Sequence, residues 1–118
     1  MTDETTLHGR VLISPRAIST IAAQAALRSY GVVGMGSKNL LDGLAGLLAR
    51  DPRHGVEIDT AGDDIVIDLY VVIEYGTRIS VVAASVAHSV RYQVERALGM
   101  PVAAVNVHVQ DLRVSDTD

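Results

Sequence analysis

The sequence predicts an α+β domain, a two-layer sandwich with helices on one face of a mixed sheet. Three observations predict it. Apolar residues recur with a period of two or of about 3.6 in the order strand, helix, helix, strand, strand, helix, strand. A hairpin stands between two helical crossovers, and right-handed crossovers bring their helices to the same side of a sheet. The core is aliphatic, because 48% of residues are hydrophobic while 3% are aromatic, with no Phe and no Trp. Val, Ile, Leu and Ala pack helix on sheet well. A chain of 118 residues has room for one such core. The single domain is expected over residues 7–114, with polar tails at 1–6 and 115–118.

Leu7 to Ser14 alternates as a first strand, with Val11 and Ile13 on one side and Arg10 and Leu12 on the other. Ser14-Pro15 then starts a helix. The serine oxygen caps free N–H groups, and proline suits the first helical position because its missing N–H had no partner there. Ile18, Ile21, Ala22 and Ala25 carry the helical spacing to about Tyr30, and Gly31 suits a left-handed cap. Gly31 to Gly36 reads as a turn. A second helix is expected from Ser37 to Arg50, weakened by Gly43 and Gly46 at about 1 kcal/mol each. Asp51-Pro52 ends it.

Val56 to Thr60 and Asp64 to Tyr75 form the hairpin around Ala61-Gly62-Asp63. Ile65, Ile67, Leu69, Val71, Ile73 and Tyr75 share its inward face. Val66, Asp68, Tyr70, Val72 and Glu74 share the outward one. Gly76 breaks the strand, and Thr77 caps a long helix whose apolar stripe runs through Ile79, Val82, Ala83, Val86, Val90, Val94 and Ala97. Gly99 and Pro101 terminate it. Val105, Val107 and Val109 then alternate in a last strand. Leu112 and Val114 fall one residue out of phase, which predicts a bulge near Gln110-Asp111.

Five short stretches, in order, carry a family likeness: Gly9 to Ser14, Gly31 to Met35, Ile67 to Val72, Glu74-Tyr75-Gly76, and Val105 to Val109. Together they span about residues 8 to 114. The chain resembles the alkaline shock protein family, also called YloU-like, of Gram-positive and related bacteria. That resemblance implies a non-enzymatic role in cell-envelope stress response and cell-wall homeostasis. It implies a cytoplasmic adaptor or scaffold that self-associates into a homo-oligomer. It also implies proximity to the membrane through a membrane-anchored partner protein. It brings no catalytic, cofactor or metal residues to carry over, and no cofactor is expected.

The composition narrows the alternatives. Without cysteine there are no disulfides, thiolate metal sites or thiol nucleophiles. A net charge of −4 disfavours nucleic acid or bare anionic lipid as a general partner. Met1 to Thr6 is unlike a signal peptide, and no apolar stretch approaches a membrane span, so no direct membrane insertion is expected. His8, His54, His88 and His108 lack metal-ligand spacing, and Gly34 to Ser37 lacks the Gly-Lys-Ser/Thr ending of a phosphate loop.

Three constellations remain. Val66, Tyr70 and Val72 place apolar area on an otherwise acidic sheet face, a candidate protein–protein interface; the blander reading is packing under the second helix or the N-terminal tail. Gly31, Gly34 and Lys38 suggest a KH-like GxxG loop for single-stranded nucleic acid. There the two valines and the scarcity of cations favour a plain helix cap and turn. Asp59, Asp68, Glu74 and His108 share the outward face and offer groups for metal or acid–base chemistry. A solvated surface is the simpler account of those charges.

Overall fold

Secondary structure follows from local chemistry at most positions, and the computed structural model describes residues 5–6, 9–10, 13–36, 55–60, 62 and 64–114. Strands β1 (Thr5–Thr6) and β2 (Gly9–Arg10) pair antiparallel as a separate two-stranded ribbon. Of the strand expected over 7–14, Gly9-Arg10 is strand, and residues 7–8 and 11–12 lie outside the described residues. Its described part turns back on Thr5-Thr6 instead of joining the main sheet, and Ile13 and Ser14 lie outside any strand.

Helix α1 (Pro15–Leu27) begins as its sequence demands. The Ser14 hydroxyl accepts from the Ala17 N–H at 3.1 Å, with proline in the first turn. Ile18, Ala22, Ala23, Ala25 and Ala26 are buried. The helix closes at Leu27, earlier than Tyr30, because Arg28 forms its cap and Gly31 turns to φ +90. The chain then becomes strand β3 (Val32–Met35). Within the expected turn over 31–36, residues 32–35 are thus a strand, and Gly31 keeps the turn. β-Branched Val32 and Val33 suit it, and the edge of the neighbouring strand supplies hydrogen-bonding partners. The helix expected over 37–50 lies outside the described residues.

Strands β4 (Val56–Asp59) and β5 (Val66–Glu74) form the expected hairpin, with Val56 opposite Leu69 and Asp59 opposite Val66. Helix α2 (Ile79–Leu98) follows. Its N-cap is Arg78 rather than Thr77, whose hydroxyl instead donates to the Glu74 carbonyl at 2.8 Å. Val82, Val86, Val90 and Val94 form its buried stripe, and Gly99 ends it in the left-handed conformation at φ 75. Fully burying each valine contributes about 1.5–3 kcal/mol.

Strand β6 (Ala104–Arg113) pairs parallel with β5 over the whole of β5, from Val66–Ala104 to Glu74–Arg113. The register slips between Val109 and Asp111, so Gln110 is the bulged residue, as the phase change predicts. β6 takes one edge of β5. On the other edge β4 covers Val66 to Leu69 and β3 covers Val71 to Ile73, both antiparallel. β3 and β4 therefore lie end to end. The Gly36 N–H donates to the Tyr70 carbonyl, and a Cβ on Gly55 would sit 2.8 Å from the Gly36 carbonyl oxygen.

The sheet is mixed, and both helices pack on its inward face. Ile65, Ile67, Leu69, Val71 and Ile73 are buried beneath them, with Val105, Val107 and Val109 half-buried beside them. Tyr75, expected to continue this row, lies past the strand end and is exposed.

Candidate functional site on the outward face of the sheet

The period of two that buries one row of β5 turns Val66, Asp68, Tyr70, Val72 and Glu74 outward, and all five are half-buried. The parallel register sets Asn106 beside Asp68 and His108 beside Tyr70. Their side chains meet. The Tyr70 and His108 rings stack with centroids 4.5 Å apart and planes 10° from parallel. His108 Nε2 lies 2.9 Å from Asp68 Oδ1, and the Asn106 amide donates to that oxygen at 3.2 Å. Asp68 thereby holds the imidazole edge while Tyr70 covers one ring face. The stacked rings share the outward face with half-buried Val66 and Val72.

Of the carboxylates singled out in the sequence, Asp68 meets His108. Asp59 sits opposite Val66 on β4, and Glu74 lies at the far end of β5 opposite Arg113. The four groups do not converge. Among the described residues no group of three or more His, Asp or Glu side chains is arranged to hold a metal ion.

The GxxG stretch is not the loop that the KH reading requires. Gly34 is paired with Val72 within β3. Gly31 serves packing, because a Cβ there would meet Val82 Cγ2 at 2.9 Å. Lys38 lies outside the described residues.

Two features escaped the sequence reading. The Tyr70–His108 stack depends on a parallel register that neither strand encodes alone. The other is a clamp on α2. The Arg91 guanidinium donates to the Val102 carbonyl, and the Val102 N–H donates to Glu95 Oε2 at 2.8 Å. Arg91 and Glu95 also approach each other at 3.7 Å. Their i,i+4 spacing just before Gly99 and Pro101 was the available signal.

A model of the alkaline shock protein family, described as having a cell envelope-related function, matches residues 3–114. The chain is 41% identical to YloU of Bacillus subtilis over 113 residues, 94% of each chain. It is 33% identical to Spy1614 of Streptococcus pyogenes over 111 residues, 92% of each. It is 34% identical to YqhY of Bacillus subtilis over 110 residues, 92% of this chain and 81% of that one. All three relatives are described as uncharacterized. In fold, the chain is similar to two solved structures of the MamM CTD, with TM-scores of 0.51 and 0.52. Both are 16% identical to it, over 81% and 83% of this chain and 93% and 98% of theirs.

Proposed function

The chain belongs to the alkaline shock protein family, of cell envelope-related function, and from that premise we propose a non-enzymatic adaptor or scaffold in cell-envelope homeostasis and stress response. It works by burying surface. It assembles with copies of itself and engages a membrane-proximal partner from the cytoplasmic side. The observation that carries this reading is the outward platform of Tyr70 and His108 between Val66 and Val72. A stacked tyrosine is a large contact surface whose rotamer is already restrained, so little conformational entropy is lost when a partner covers it. The polar rim of Asp68 and Asn106 supplies directional bonds around it. Acid–base chemistry has weaker support, since the imidazole edge and one ring face are committed to Asp68 and Tyr70.

Light scattering across a wide concentration range tests assembly. The expected result is a mass rising above the 12.5 kDa of one chain. Tyr70→Asp should weaken that assembly about thirtyfold, the scale of a tyrosine hot spot, with an unchanged circular dichroism spectrum. A strict monomer throughout, without a co-purifying partner, overturns the reading. Unchanged assembly in Tyr70→Asp overturns this face.

A further inference from the structure

The two outer edges of the sheet are built differently. On one, β3 and β4 lie end to end with four residues each, and the chain leaves at Gly36 and returns at Gly55 between them. The other is β6, ten residues interrupted only by the bulge at Gln110. One side of β6 pairs with β5, and among the described residues no strand pairs with its other side.

The ladder fixes which backbone groups of β6 face that open side. On β5 the Tyr70 carbonyl and the Glu74 N–H bond toward β3. Ile67, Leu69 and Val71 alternate with these residues and so address β6. In a parallel ladder such a residue bonds the two neighbours of its partner, not the partner itself. Their partners Val105, Val107 and Val109 therefore point N–H and C=O groups away from the sheet. The side chains of these three valines are half-buried, whereas Ile67, Leu69 and Val71 beside them are fully buried. An open flank accounts for the difference.

Sheet edges are normally protected by charge, proline, a bulge or a covering element. Residues 104–110 contain no proline, no glycine and, His108 apart, no ionisable side chain. Asp111 and Arg113 come only after the bulge. An edge of this kind is completed by another strand, and its own sequence matches it. The pattern is symmetrical about Val107, with Asn106 and His108 on either side and Val105 and Val109 beyond them. In a second copy turned antiparallel about a twofold axis at Val107, Val107 meets Val107, Val105 meets Val109 and Asn106 meets His108. About six backbone hydrogen bonds then close the pair. Shifting the register by one pair either way sets Val109 opposite Ala103 or Val105 opposite Asp111, so the symmetrical register is preferred.

We propose that two copies of the chain join edge to edge through antiparallel β6 strands, so that one sheet runs across the dimer. The proposal rests on the reading that the chain assembles with copies of itself, and it names the edge through which two of them join. The Tyr70–His108 faces of the two copies lie on the same side of the joined sheet and outside this contact.

Sedimentation velocity of the full chain tests it, with Val107 as the probe. Val107→Lys and Val107→Glu each set like charges opposite one another at the axis, and each should weaken the dimer at least about tenfold. An equimolar mixture of the two should restore it, because unlike charges then meet; mixing does not repair a folding defect. Cross-linking gives a second readout, in a chain with no cysteine of its own. Val107→Cys should form a disulfide dimer under mild oxidation, since residues opposed in such a pair have Cα atoms about 5.5 Å apart. Ala17→Cys, exposed on α1 over β3 and β4, should not. Circular dichroism and melting temperatures control for folding, and the cross-link decides if a charged variant fails to fold. A strict monomer, an unchanged mass in both charged variants, a mixture no better than either alone, or a Val107→Cys chain that cross-links no more than Ala17→Cys overturns the proposal. Tyr70→Asp should leave the Val107→Cys dimer in place. If Tyr70→Asp abolishes assembly and the Val107 variants keep it, the edge falls and the Tyr70 face stands; the reverse result removes the face and supports the edge.

Discussion

Alternate residues of β5 meet different surroundings. Ile67, Leu69, Val71 and Ile73 have no solvent exposure, whereas Val66, Asp68, Tyr70 and Val72 keep part of theirs. The inward row is uniformly aliphatic, as packing against two helices requires. The outward row mixes carboxylate, phenol and valine, and the core makes no such demand. One strand thus separates two tasks: the inward residues hold the sandwich together, and the outward residues present a surface. Stability and association should respond independently to substitutions one position apart.

The most severe test of that separation is Leu69→Ala. It empties a fully buried site and should lower the unfolding free energy by about 2–5 kcal/mol. Urea denaturation should show the midpoint falling while the slope stays constant. Gly31→Ala probes where β3 meets α2. Its φ of +90 and the 2.9 Å approach to Val82 Cγ2 should cost about 1–3 kcal/mol, visible as a lower melting temperature. The smallest effect belongs to the outward row. His108→Ala removes the stack on Tyr70 and the contact with Asp68, yet both partners are partly solvated, so stability should fall by less than about 1 kcal/mol. A loss as large as that of Leu69→Ala would show that the two faces are not independent.

The inward row was legible because a two-residue period leaves it no alternative. The bulge was legible because Leu112 and Val114 fall out of phase with Val105, Val107 and Val109. The Ser14 cap is local chemistry and could be read locally. β3 could not: glycines at 31, 34 and 36 outweigh two valines until the edge of β5 is present to pair with them. The outward site was half legible. Tyr70 between valines was visible, but its partner His108 is far away in sequence and arrives through the β5–β6 register.

The end-to-end placement of β3 and β4 has a consequence for how such a chain can diversify. Residues 37–54 depart from Gly36 and return at Gly55, two points in contact on one edge of the sheet. A segment whose ends already touch can lengthen or shorten without moving any strand out of register. The entropy of closing it grows with the logarithm of its length, at about 0.6 kcal/mol per doubling. The architecture therefore contains a natural splice point, where new sequence can be accommodated while the helix-covered core remains as it is.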